Sequence, residues 1–307
     1  MNFQSRKGGF TIVELLVVIS IIGMLASIVL VAVQGARQKG VVAAATEFST
    51  ALFHSYGATA IGYWQLNDGS GSTVKDFTGN YPATILGTVG SGGPVNWTTD
   101  TPYGSGYSLN ISSTLSTDKG SLGNQCNAGC ISLGSIATGS TLTISSWIKT
   151  SYSYQPIFSN DCNGGYGNSL DINSGVVQFK NVLMNGFSSK NIVNDNQWHN
   201  VVYTNNGSYG SIYIDGKLDS TLNNGTQYGP YNNGTQYGPY NMNPTGSPAN
   251  AGPAPAYIGW DTCGGSPSGA GTLTISQVAL YPQSFLSASQ VHELYAEGAA
   301  KHGLAVK

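Results

Sequence analysis

Ile212-Tyr-Ile-Asp-Gly-Lys217 sets two alternating apolar residues against Asp215-Gly216, a dipeptide that accepts the positive φ angles of a type I′ turn. The stretch therefore reads as a β-hairpin. Working outward, Thr141–Lys149, Val176–Lys180, Asn200–Thr204, Ser211–Asp215 and Thr272–Tyr281 show the same short alternation between clusters of Gly, Asn, Asp and Pro. From Ile61 onward the pattern is that of antiparallel strands and tight turns. The fold expected is a mainly β sandwich, and roughly 240 residues are enough to bury a sizeable core.

Several segments resemble the laminin G-like, concanavalin A-like family in order and spacing: Tyr63-Trp-Gln-Leu-Asn-Asp-Gly-Ser-Gly71, Asp76-Phe-Thr-Gly-Asn80, Leu142-Thr-Ile-Ser-Ser-Trp147, Trp198-His-Asn-Val-Val-Tyr203, Ile212–Gly216, Leu280-Tyr-Pro282, and Leu286-Ser through Leu294-Tyr295. The resemblance spans Tyr63 to Gly298. It implies a jelly roll of two curved antiparallel sheets, with glycans or surface proteins as partners and calcium as a structural ion. Asp76 is the candidate oxygen ligand for such an ion; where relatives carry an acidic pair before the last strand's Val, this chain has Ser276-Gln277, which argues against it. Asp161-Cys-Asn163-Gly-Gly165 has the look of a calcium loop, but Ile172 stands where an EF-hand places its bidentate glutamate, so the segment reads as a turn. Trp64, Trp147, Trp198 and His199 read as core and strand packing.

The sandwich class includes glycosidases, which need paired carboxylates. Glutamate occurs only at Glu14, Glu47, Glu293 and Glu297, so the body of the head supplies no Glu-x-Asp-x-Glu strand. There is no G-x-S-x-G elbow, and His54, His199, His292 and His302 lack a recognisable partner motif. A non-enzyme is expected, with no catalytic residue. Binding is the better expectation: the tandem copies Asn223–Tyr231 and Asn232–Tyr240, each N-N-G-T-Q-Y-G-P-Y, present Tyr228, Tyr231, Tyr237 and Tyr240 on a turn-rich loop. Such tyrosines can stack on sugars or pack on proteins. Trp260 is a further aromatic candidate.

Only 8% of the 307 residues are charged, the net charge is −2, and Gly (42) and Tyr (18) are abundant. With both arginines, Arg6 and Arg37, flanking the apolar N-terminal run, no basic face remains for nucleic acid. Cys126, Cys130, Cys162 and Cys263 all follow that run, as expected of disulfides in an oxidising compartment. Three connectivities are open. The small loop shared by the first two favours Cys126 with Cys130 and Cys162 with Cys263.

At the other end, Met1–Gly9 reads MNFQSRKGG, and Leu15 to Val33 carries no charge, enough to span the ~30 Å core of a bilayer as a helix. The positive end stays cytoplasmic. A secretory signal is cut after its apolar region; here the glycines precede it, and cleavage leaves the helix attached. Glu14 is the anomaly, because a lone carboxylate in lipid costs about 3 kcal/mol or more. Cutting between Gly9 and Phe10 creates a cationic partner, the new α-amino group of a neighbouring subunit.

Lys7 to Leu30, K-G-G-F-T-I-V-E-L-L-V-V-I-S-I-I-G-M-L-A-S-I-V-L, resembles the N-terminal signal of type IV pilins and pseudopilins. The resemblance implies cleavage after Gly9 by a prepilin peptidase, N-methylation of Phe10, and assembly through Phe10 and Glu14 with other pilin subunits from the inner membrane. Val31 stands where many relatives have a helix-loosening proline; the mid-helix glycine is present as Gly23. The organisation expected is a leader at 1–9, a pilin-type helix at 10–60 with its membrane part at about 10–33, a sandwich at 61–298 and a tail at 299–307. The chain then reads as a pilus or pseudopilus subunit displaying a binding head; a membrane-anchored carbohydrate-binding module outside any filament is the alternative, and a glycosidase the least favoured one.

Overall fold

The computed structural model of the chain describes residues 11–27, 29, 33, 60–90, 93–102, 104, 106–112, 126, 129–138, 141–160, 168–181, 184–206, 209–223, 226–228, 254–260, 271–282 and 285–302. Two compact units emerge, Met1–Leu52 and Phe53–Lys307.

In the first unit, residues 12–27 form a continuous helix, α1. Its apolar side chains are exposed on every face, from Val18 at 46% to Ile12 at 82%. A helix apolar all round is one that lipid or other helices cover. Among the described residues, no helix is long and apolar enough to cross a membrane.

The second unit is a sandwich of two antiparallel sheets. The first sheet runs, in spatial order, β15 (Thr226–Tyr228), β14 (Lys217–Asn223), β13 (Tyr209–Ile214), β12 (His199–Asn205), β7 (Leu142–Lys149), β17 (Thr272–Pro282), β5 (Ser108–Ser112) and β4 (Val95–Thr98), with β1 (Gly62–Trp64) also on β17. The second runs β11 (Met184–Ile192), β10 (Val176–Asn181), β9 (Asn168–Asn173), β8 (Tyr154–Asn160), β16 (Ala254–Ile258), β6 (Cys130–Ile136), β3 (Ala83–Leu86) and β2 (Thr73–Val74). The sandwich expected from the alternation, and the jelly roll that the laminin G-like resemblance implies, is the architecture found.

A period of two decides which side chains enter the core. Val201 and Tyr203 of β12, Ile212 and Ile214 of β13, and Val278 and Leu280 of β17 join the main core, where Tyr203 stacks on Phe179 of β10 at a centroid distance of 3.7 Å. Their neighbours Val202, Tyr213, Ala279 and Tyr281 point to the other face of the first sheet and form a second cluster with Leu286 and Val291. Val291 belongs to α2 (Ala288–His302), a helix absent from the strand-and-turn reading. Its start is signalled by Ser287-x-x-Gln290: the Ser287 N–H donates to Gln290 Oε1 (2.8 Å), and the Gln290 N–H donates to Ser287 Oγ (3.4 Å). This reciprocal capping box satisfies two donors that a helix start leaves unpaired.

A third cluster surrounds the Cys126–Cys130 disulfide, whose Cα atoms are 6.4 Å apart, with Tyr257, Trp260 and Leu86 packed on it. The pairing expected from the small loop is therefore present; Cys162 and Cys263 lie outside the described residues.

Candidate functional site

At the start of α1 the Thr11 N–H and hydroxyl both donate to Glu14 Oε2, at 2.8 and 2.9 Å, and the Glu14 N–H donates to Thr11 Oγ1 at 3.2 Å. This too is a capping box, and the helix dipole adds to it by favouring a negative charge at that end. The sequence reading treats Glu14 as a charge that lacks a mate until subunits meet. Within the single chain Thr11 already holds one of its oxygens. Gly9 and Phe10 lie outside the described residues.

In the second unit a cleft of about 740 Å³ opens beside the β13–β14 hairpin. Asp215 and Gly216 take φ angles of 52° and 72°, so the turn has the geometry read from the sequence. Asp215 is fixed on both sides of the β12 start: its carboxylate accepts the Asn200 N–H (2.9 Å), and its own N–H donates to the Asn200 carbonyl (2.8 Å). Tyr295 of α2 lies over Gly216 and stacks on Trp147 of β7, with centroids 5.9 Å apart. Trp198 lines the same cleft, its indole N–H held by Asp100 (3.0 Å), which also takes the Lys149 ammonium (2.8 Å).

His199 sits below, between two carboxylates: Nδ1 is 2.9 Å from Asp215 Oδ2 and Nε2 is 3.1 Å from Asp195 Oδ1. Burial by itself would lower the imidazole pKa, but the hydrogen bonds and charges of Asp215 and Asp195 outweigh it, and the pKa is raised. Burial works against ionisation of Asp195, but the Gln197 N–H and the His199 ring hold its carboxyl below the ordinary value. His199 is thus a cationic cross-brace under the hairpin. Both of its ring nitrogens are engaged, which fits the packing role read for it and suits neither a general base nor a metal ligand.

Asp219 closes the far wall. Its carboxylate accepts the N–H groups of Lys190 and Asn191 and the Asn191 amide (2.7 Å), tying the end of β11 in one sheet to β14 in the other. Above these polar ties stand Ile192 at 60% and Leu218 at 56% exposure. Neither was singled out from the sequence. The two-residue Asp215-Gly216 turn sets Leu218 opposite Tyr213, on the face away from the main core; the register shift comes beyond that pair, where Ile212 meets Ser220, so the hairpin turn is the sequence signal that could have found Leu218.

The other sequence candidates are not gathered here. Asp76 is buried, and its Oδ1 accepts the N–H groups of Tyr63 and Thr78, while Oδ2 accepts those of Asn80 and Tyr81 and the Thr78 hydroxyl. Those donors fill the carboxylate's acceptor sites, which makes Asp76 the hub of a turn. Among the described residues no group of three metal-ligating side chains occurs. Trp260 is buried against the disulfide rather than displayed. Tyr228 ends β15; Tyr231, Tyr237 and Tyr240 lie outside the described residues.

Residues 4–30 match the model of the prokaryotic N-terminal methylation motif, and residues 124–252 match that of the concanavalin A-like lectin/glucanase superfamily. The chain carries a pilin-type methylation segment and a laminin G-like domain. No curated relative matches it. Among solved structures, the laminin G-like head has the fold of domain 4 of AbnA, an extracellular arabinanase of Geobacillus stearothermophilus in complex with arabinotriose (15% identity, TM-score 0.50, covering 77% of this chain and 97% of that one). A botulinum neurotoxin type C structure, whose cell entry is described as dependent on two ganglioside molecules, matches at 14% identity and TM-score 0.50 over 80% of this chain and 53% of that one. The binding domain of botulinum neurotoxin DC, in complex with rat synaptotagmin II, matches at 16% identity and TM-score 0.50 over 78% and 52%. The chain spans about half the length of the neurotoxin chains it matches. At these identities the likeness is one of fold. A methylation segment joined to a lectin-like sandwich fits a surface-displayed binding domain.

Proposed function

We propose that the chain is a subunit of a type IV pilus or a type II secretion-like pseudopilus and that its laminin G-like head binds glycans or surface proteins outside the cell. The observation that carries this reading is the methylation motif at 4–30 with Glu14 at the start of an exposed, otherwise uncharged and largely apolar helix. Before assembly the helix anchors the chain in the inner membrane in a single pass. Prepilin peptidase removes residues 1–9, and the freed α-amino group of Phe10 on one subunit meets Glu14 of the next. Glu14 Oε2 is the oxygen held by Thr11, and the ammonium is received at the remaining Oε1, which gives the carboxylate a mate without breaking its own helix cap.

Fold neighbours crystallised with a trisaccharide or described with gangliosides support a binding role for the head. The head binds and does not catalyse: Asp215 and Asp219, the carboxylates lining the cleft, are committed to His199 and to backbone N–H groups, so neither is set up as an acid or a nucleophile.

The test is Glu14→Ala in the native host. Processing should continue while incorporation into sheared surface filaments falls at least tenfold. Undiminished incorporation would remove the assembly role of Glu14, and absence of the wild-type chain from the sheared filaments would leave a membrane-anchored binding module.

A further inference from the structure

We infer that the cleft between the β13–β14 hairpin, the end of β11 and Tyr295 is the ligand site of the head, and that its ligand is a short neutral saccharide. The inference rests on the binding role proposed above and gives that role a place and a chemistry.

Three observations converge on this cleft. Its volume, about 740 Å³, is in the range that holds a small ligand. Ile192 and Leu218, at 60% and 56%, are the two most exposed large hydrophobic residues among the described residues of the head, and both line it. Exposed branched aliphatics scattered over a surface need no explanation, but the two most exposed ones sharing one concavity mark a contact surface. Finally, the walls are rigid in advance: Asp215 is fixed to Asn200 and His199, Asp219 to Lys190 and Asn191, Tyr295 to Trp147, and Trp198 to Asp100. A site that does not have to be ordered on binding loses less affinity to entropy.

The lining selects among ligands. A peptide joining as an extra strand needs free backbone donors on a sheet edge, and β11 is such an edge. Next to the cleft, however, the N–H groups of Lys190 and Asn191 are already taken by Asp219, so this stretch offers no ladder to extend. A sugar ring needs none. Its C–H face suits Ile192, Leu218 and the Trp198 ring, while its hydroxyls can reach the exposed Gln197 amide and Lys217 ammonium. Charge then separates neutral from acidic sugars. Among the lining residues Asp215 and Asp219 offset the His199 and Lys217 side chains, so the cleft offers no surplus of positive charge to a carboxylate-bearing sugar.

The experiment uses the processed full-length chain in detergent micelles, on an array holding neutral di- to tetrasaccharides, their sialylated counterparts and short apolar peptides. The result expected is binding to neutral saccharides that falls at least tenfold in I192S/L218S, with circular dichroism and melting temperature unchanged because both side chains are exposed. Retained saccharide binding in that variant would overturn the site while leaving the binding head in place. Binding to sialylated glycans alone, or to peptides alone, would overturn the ligand class. Absence of binding to any probe would overturn the inference and leave the binding role to surface proteins alone, whereas filament incorporation, measured separately, would be unaffected.

Discussion

Gly216 lies so close under Tyr295 that a Cβ added to it would sit 2.7 Å from the Tyr295 Cβ and 2.8 Å from its Cδ1, nearer than carbon atoms approach in proteins. The turn glycine thus does two jobs, holding φ at 72° and letting α2 settle onto the first sheet. Gly216→Ala combines a strained backbone with a collision and should cost about 2 kcal/mol, a drop of about 4–8 °C in melting temperature for a head of this size. Removing the ring as well, in Gly216→Ala/Tyr295→Ala, should recover only the ring's share of the collision, because the Cβ at position 295 stays. A double variant that simply adds the two losses would show that the contact is unimportant.

Stability should depend on pH through the His199 brace. Because its folded-state pKa is raised above the ordinary 6.5, the stabilisation is complete below pH 6.5 and is lost as pH climbs through the higher folded value. Asp195, lowered from 3.8, works in the opposite direction: its contribution is present above 3.8 and is lost as pH falls through the lower folded value. Melting temperature should therefore be flat between about pH 4 and 6.5 and decline above it. His199→Gln should flatten the alkaline decline, measurable by scanning calorimetry across pH 5 to 9; an unchanged decline in the variant would assign it to other groups.

Asp76 should behave as a structural hub and not as an ion site. Asp76→Ala strands the N–H groups of Tyr63, Thr78, Asn80 and Tyr81 and is expected to cost about 3 kcal/mol or more. Wild-type melting should be the same with calcium or with a chelator. A calcium-dependent shift in wild type that disappears in Asp76→Ala would reverse this assignment.

How much of this could be read from the chain follows from what each pattern encodes. Alternation and the Asp215-Gly216 pair revealed the strands and their hairpin because burial on one face and positive φ at a turn leave a direct mark on composition. The small spacing of Cys126 and Cys130 was similarly direct. Helix α2 is weakly marked although Ser287-x-x-Gln290 is a start signal, since Leu286 and Leu294-Tyr295 also fit the closing run of a sandwich. The cleft was not visible at all. It joins Ile192, Trp198, Leu218 and Tyr295 from separate elements, a gathering that no local pattern records. Trp260 shows the converse: a tryptophan among Gly, Pro and Cys reads as displayed, but it is buried on a disulfide.

The claim on which the rest depends is that processing at Gly9-Phe10 turns an exposed apolar helix into an assembling one. Intact-mass and N-terminal fragment spectra of the chain sheared from the cell surface test it most directly. The account predicts a mature chain that begins at N-methylated Phe10 and keeps Glu14 and the whole apolar helix. A surface chain that still carries Met1–Gly9, or one cut beyond Val33, would contradict it.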